Sequence, residues 1–289
     1  MEYLISFEKF NRMNDHFVKF IFMNEDHKNL LISLINSITV SINLSPIVDV
    51  KFKDREFNKN HHEEKGGSVD ILCLGSDHKL YNIEFQNEKL LYFVNKVFYY
   101  MARILVNIKA GDDYDKLKSV CNIAILNHKL FTDLSDNYYF QPFRYQHQII
   151  TDYYLPNSSL FFIEIPKWEI VKPEIEKFTD LDVFLAFFSA KSNYDYLMKI
   201  AKRSEIMAQL MDLQDEYRRD YDLLQGYKTA EDYERDFRSI INTNREEAKE
   251  EGKEEVAIKM LKKNKLISEI IEFTGISSER INEIKATLQ

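Results

Sequence analysis

The chain has 289 residues, 45% of them hydrophobic, with only 7 Gly and 5 Pro. That composition excludes a disordered or fibrous chain and suits one large domain, or one domain with a smaller appendage. A formal net charge of −8 argues against a protein that coats nucleic acid, but leaves room for an enzyme with a local basic groove.

No run approaches the roughly 18 to 20 apolar residues needed to cross a membrane. The start "MEYLISFEKF" lacks the basic opening and apolar core of a signal peptide. Cys73 and Cys121 sit in apolar runs without zinc-ligand spacing, as buried thiols of a reduced cytoplasmic protein would.

Residues 13 to 38 read as a helix that Asp15 caps or opens, with Leu30, Leu31, Leu34, Ile35 and Ile38 at helical spacing. Ser45–Pro46 breaks the pattern, and "IVDVKF" (47 to 52) alternates like a strand. The charged residues 53 to 66 form a loop. "GGSVDILCLGSDHKLYNIEFQ", Gly66 to Gln86, reads as a β-hairpin turning near Asp77. From Glu88 to Lys109 an apolar stripe (Leu90, Leu91, Val94, Val97, Phe98, Met101, Ala102, Leu105, Val106) predicts a helix that Gly111 stops. "SVCNIAIL" (119 to 126) is a buried strand, and runs at 138 to 150 and 159 to 165 extend the sheet. From about Pro173 the pattern is helical. The mixed-charge run 245 to 255 is a solvated helix or linker. The tail 266 to 284 is two short helices, with Ser268 and Ser277 as caps and Gly275 as a stop.

In the hairpin, a turn at Asp77 sets Asp70 opposite Glu84, Ser68 opposite Gln86, Ile71 opposite Ile83 and Cys73 opposite Tyr81. Side chains alternate across a strand. One face then carries Val69, Ile71, Cys73, Tyr81, Ile83 and Phe85, fit for a core. The other gathers Asp70, Glu84 and Gln86 at one end, with Leu72, Leu74 and Leu80 toward the turn. Two opposed carboxylates at ~5 Å repel by roughly 3 kcal/mol at an effective dielectric of 20. Hairpin formation requires no such cost, and a divalent cation between the oxygens would reverse its sign. The alternatives are an ordinary solvent face bearing acids, and a register slipped by one residue.

"VDILCLGSDHKLYNIEFQ" resembles the D-(about 14)-ExQ signature of the recombination-promoting nuclease (Rpn) family, also described as PD-(D/E)XK nuclease family transposases. "NDHFVKFIF" (14 to 22) resembles its D-x-x-[FV]-K-x-x-F motif. "FYYMARILVNIKAGDDYDKLKSVCNIAIL" (98 to 126) is similar to its central Y-x-x-R…G-x-x-Y…I-x-IL segment. "KKNKLISEIIEFTGISSERINEI" is similar to its L-x-x-I-x-x-x-T-G-[IL] ending. The likeness covers most of the chain and thins between 170 and 240. It implies an α/β fold, a PD-(D/E)XK restriction-endonuclease-like αβββαβ core with a mainly helical C-terminal extension. That matches the order read from periodicity. The expected division is a nuclease-like domain over 1–170 and a helical region over 171–289, with a helix-turn-helix-like tail at about 256–289.

The resemblance implies that Asp70 and Glu84 hold Mg²⁺ (or Mn²⁺). Gln86 stands where a Lys is normal. An amide can hydrogen-bond a water but is a poor proton acceptor. Asp15 is the matching acid on the first helix, or its cap, and Lys19 lies one turn on along the same face. The implied activity is that of a metal-dependent DNA endonuclease, hydrolysing phosphodiesters in recombination or mobile-element biology. The alternative is a catalytically weak or inactive relative that binds DNA or protein, which Gln86 and the acidic balance favour. A further alternative is a plain interaction protein working through its helical C-terminal region.

Lys96 and Arg103 either contact phosphate or lie on a solvated helix face; Lys65 could touch DNA. His61–His62 beside Glu63–Glu64 reads as exposed loop, since adjacent side chains rarely converge on one ion. Tyr99, Tyr100 and Tyr114 either stack on bases or fill the core, and Trp168 is a packing residue. The tail is a DNA reader, a dimerisation or regulatory element, or packing. The expected partners are DNA and a second copy of the chain through the C-terminal helices, with no membrane.

Overall fold

The computed structural model describes residues 4–53, 56–57, 67–68, 70–106, 118–151 and 153–288. Lys65, His61, His62, Tyr114 and Gly111 lie outside the described residues. Two compact units are present, one ending at Ala230 and the other starting at Glu231.

The first unit opens with α1 (Asp15–Phe22) and α2 (Lys28–Thr39). Asn14 starts α1, its side chain accepting the N–H groups of His16 and Phe17, a capping role that short polar residues favour. Asp15 is therefore the first helical residue and not the cap. The single helix expected over 13–38 is two, because Asn24 caps a separate turn at Glu25–His27. The apolar faces of both helices, including Phe17, Ile21, Leu31 and Ile35, are fully buried.

The strands are β1 (Val50–Phe52), β2 (Glu56–Phe57), β3 (Gly67–Ser68), β4 (Ile71–Gly75), β5 (Leu80–Gln86), β6 (Val120–Leu126), β7 (Phe140–Gln146) and β8 (Tyr154–Glu164). Six form one sheet in the order β1-β4-β5-β6-β8-β7, while β2 and β3 pair separately. With α3 (Phe93–Leu105) between β5 and β6, the expected αβββαβ order is present. The hairpin has the expected register, Ile71 opposite Ile83 and Cys73 opposite Tyr81. Its turn requires glycine at Gly75, where a Cβ would meet Asp77 Oδ1 and the Tyr81 ring, each at 2.7 Å. β5 runs parallel to β6, and β6 parallel to β8.

The sheet is covered on both faces. Ile71, Cys73, Tyr81, Ile83, Ile123 and Phe161 join α1 and α2 in one core. Leu72, Val120, Ala124, Leu126 and Phe162 pack beneath α3 in a second. β6 is buried at every position, as a strand covered on both sides must be. α3 meets the sheet through Phe93, Val97, Met101 and Ile104. The expected stripe is thus rotated: Leu91, Phe98 and Val106 are exposed. Both sets have helical spacing, so periodicity did not choose between them.

The chain does not divide at residue 170. α4 (Ile165–Val171), α5 (Asp180–Phe188), α6 (Tyr194–Ala201), α7 (Glu205–Tyr217) and the start of α8 (Tyr221–Lys262) follow. Phe184, Phe187, Leu197, Leu210, Tyr217 and Tyr227 complete the first core. Trp168 is fully buried and donates its indole N–H to Asp182 at 2.7 Å, a packing role.

The second unit contains the rest of α8, α9 (Ile267–Thr274) and α10 (Ser278–Thr287). Ala257, Ile270, Ile276 and Ile281 form its small core. Gly275, at φ 68°, ends α9, and Ser277 caps α10 as expected. Leu266 precedes α9 in the cap position, not Ser268. Arg280, the arginine available to read a base, is paired with Glu254 at 2.7 Å and Glu283 at 2.8 Å. No described helix is long and apolar enough to cross a membrane.

Candidate active site

Parallel strands present their carboxyl ends together, where α/β sheets commonly bind ligands. Glu84 and Gln86 lie near that end of β5, level with Ala124 and Leu126 of β6. Asp70 immediately precedes β4. Alternation along an antiparallel pair directs the Phe85 N–H toward the β4 side, and the Asp70 carboxylate accepts it at 2.8 Å. Asp70 is thus braced across the ends of the two strands, beside the Glu84 carboxylate.

Glu84 is buried. One oxygen, Oε2, lies 3.4 Å from Lys96 Nζ on α3. The other, Oε1, is buried with no hydrogen-bond partner. Burial, then the adjacent Asp70, pushes the Glu84 carboxyl up to about 8, against the pull of Lys96. Burial raises Asp70 to about 6. The Asp15 charge adds to this, while the Phe85 N–H, Lys19 and Lys96 oppose it. Burial thereby favours the protonated form of each acid.

The N-terminus of α1 faces this pair. Asp15 and Lys19 form an ion pair at 2.5 Å, and both charges act on Asp70. Asn87 Nδ2 donates to the Met13 carbonyl at 3.2 Å, joining the end of β5 to the start of α1. On the far side of α1, Gly226 gives the His16 ring its place: a Cβ there would stand 2.2 Å from His16 Nε2.

Among the residues expected in the site, Asp70, Glu84, Lys96, Asp15 and Lys19 are brought together. Gln86 is adjacent, but its amide nitrogen donates to the Glu88 carbonyl at 3.0 Å and so braces the turn. Arg103 donates to the Tyr99 hydroxyl at 3.1 Å, about 10 Å farther along α3 than Lys96. Lys65 lies outside the described residues.

Sequence reasoning missed the bracing donors on Phe85 and Asn87, and it missed Asn14, although a short polar residue before an apolar helix is a legible cap signal. It also passed over His128. That residue follows Asn127, whose N–H donates to the Gln86 carbonyl at 2.9 Å. Both His128 ring nitrogens are buried without a hydrogen-bond partner, and burial lowers its pKa. Nothing in the local sequence marks it.

The acid pair suits a hard divalent ion, which takes one or two carboxylates and completes its shell with water and phosphate. The unpartnered Glu84 Oε1 and the raised pKa values are what such an ion would relieve. Among the described residues no group of three or more His, Cys, Asp or Glu could hold a metal. Asp15 is paired with Lys19. A family model described as "PD-(D/E)XK nuclease family transposase" matches residues 12–244, which take in α1, the hairpin, α3 and β6. No curated protein and no solved structure matches the chain.

Proposed function

The chain belongs to the PD-(D/E)XK nuclease family transposases, and from that premise we propose that it is a metal-dependent endonuclease that hydrolyses phosphodiester bonds in DNA. Asp70 and Glu84 hold Mg²⁺ or Mn²⁺. The observation that carries this reading is the buried, partnerless Glu84 Oε1 beside a second carboxylate. When bound, the cation would polarise the scissile phosphate and lower the pKa of a water.

The chain's own residues do the remaining work. Lys96 and Lys19, each partly exposed beside the acids, offer ammonium groups to the phosphate. Gln86, with its amide nitrogen committed to Glu88, can orient a water only through its oxygen and is a poor base. Asp15 keeps Lys19 in place beside Asp70. A link to recombination or mobile elements, and residence in the cytoplasm, belong to the same reading. Self-association through the C-terminal helices is supported by Leu266 and Phe273, which stand 68% and 75% exposed. The test is nicking of supercoiled plasmid with Mg²⁺. Wild type should convert the plasmid while Asp70→Ala and Glu84→Ala leave it intact; equal conversion by all three removes the proposal.

A second reading, a catalytically inert relative that binds DNA or protein, is favoured by Gln86 and by the acidic net charge of −8. It requires salt-sensitive DNA binding with no Mg²⁺-dependent cleavage.

A further inference from the structure

We propose that Lys96 is an exchangeable counter-ion of Glu84. Without metal its ammonium holds the carboxylate; on metal loading it yields Glu84 and turns to the phosphodiester. This rests on the reading of Asp70 and Glu84 as metal ligands.

Three observations carry it. The Lys96 Nζ to Glu84 Oε2 distance is 3.4 Å, longer than the roughly 2.7 to 2.9 Å of a firm charge-assisted hydrogen bond. The contact is electrostatic and loosely held. The two side chains are also unequal, Glu84 being 8% exposed and Lys96 34%, so the acid is fixed and the cation is free to move. Finally, the ammonium already lies 5.8 Å from the Phe93 ring centroid and 5.7 Å from that of Tyr100. Those ring faces attract a cation and give it a second seat.

Charge balance sets the direction of exchange. With its three acids ionised, as metal ligation requires, the cluster of Asp15, Asp70 and Glu84 with Lys19 and Lys96 carries a net charge of −1. A divalent ion turns this to +1, and one phosphodiester then neutralises it. Metal and DNA should therefore tighten each other's binding by the same factor, as linkage requires, with Lys96 as the group that changes partners.

The experiment is calorimetric titration of the full chain with Mn²⁺ at fixed pH, for wild type, Lys96→Met and Lys96→Arg. Lys96→Met removes the competitor and should bind Mn²⁺ about fivefold or more tightly than wild type. Lys96→Arg presents a planar fork that grips a carboxylate with two hydrogen bonds and should bind Mn²⁺ more weakly. A parallel Ca²⁺ titration, with and without a short DNA duplex, should show mutual tightening in wild type and its loss in Lys96→Met. Wild type and Lys96→Met binding Mn²⁺ equally, or Lys96→Met binding it more weakly, overturns the exchange while leaving the metal site standing. Absence of Mn²⁺ binding in wild type overturns the metal reading itself. The opposite directions expected of the Met and Arg variants keep either one decisive if the other fails to fold.

Discussion

The Asp70 carboxylate takes the backbone N–H of Phe85, the residue after Glu84, at 2.8 Å. The paired register of the hairpin ends at Ile71 and Ile83. Beyond it a side chain makes the next cross-strand link. Asp70 is therefore both a charge and a strand fastener, and the two roles can be separated by substitution.

Asp70→Asn keeps an oxygen that can accept the Phe85 N–H but loses the charge. At about pH 5, where folded wild type carries Asp70 largely protonated, its melting temperature should stay within about 2 °C of wild type, while at about pH 7.5 Mn²⁺ binding by calorimetry falls at least about tenfold. Asp70→Ala loses both and should be less stable by about 1 kcal/mol, the usual worth of one such hydrogen bond. Denaturant melts of the three proteins make the comparison. If Asp70→Asn is as unstable as Asp70→Ala, the fastening role is wrong.

The raised pKa values fix how apo stability varies with pH. Folding lifts Asp70 from 3.8 to about 6 and Glu84 from 4.5 to about 8. Between about pH 4 and pH 8 the folded state thus binds more protons than the unfolded chain, and stability falls as pH rises through that window. Each unit of elevation corresponds to about 1.4 kcal/mol between the two protonation states. The metal-free protein should melt several degrees lower at about pH 8.5 than at about pH 5.5. Glu84→Gln should flatten that slope, and Mn²⁺ should restore wild-type stability most strongly at the alkaline end. A wild-type profile no steeper than that of Glu84→Gln would contradict the assignment.

The hairpin's register was legible because strand side chains alternate with period two and the turn at Asp77 sits midway between the acids. The buried faces of Ile71, Cys73, Tyr81 and Ile83 follow from it. What periodicity could not supply was contact between elements. The Asp70–Phe85 and Lys96–Glu84 links span 15 and 12 residues; the first needs a side chain to turn back onto the neighbouring strand, and the second depends on how α3 lies over the sheet. Two stripes on α3 were equally periodic, so the exposed Phe98 was assigned to the core in place of Phe93 and Ile104. The boundary at 170 failed for a related reason. The pattern turns helical from about Pro173 with no signal of where those helices pack, and Phe184, Leu197 and Leu210 join the core of α1 and α2.

Glu164, at the carboxyl end of β8, tests which charges near this edge of the sheet are structural. It and Lys167 are 0% and 1% exposed and pair at 3.0 Å. Glu164 Oε1 accepts the N–H groups of Leu130 and Phe131 at 2.6 and 3.0 Å, and Lys167 donates to the Phe131 carbonyl at 2.6 Å. The pair thereby anchors the segment that follows β6. Removing one partner strands the other as a buried charge, at a cost of about 3 to 5 kcal/mol, whereas replacing both with apolar residues of similar size is often neutral or stabilising. Glu164→Ala should lower stability by that amount in urea melts. Glu164→Met with Lys167→Met should recover most of the loss, short of the hydrogen bonds to Leu130 and Phe131. Mn²⁺ affinity should be the same in the double variant and wild type, because neither residue belongs to the acid pair. A single-variant loss below about 1 kcal/mol would show that water reaches the pair and that it anchors nothing.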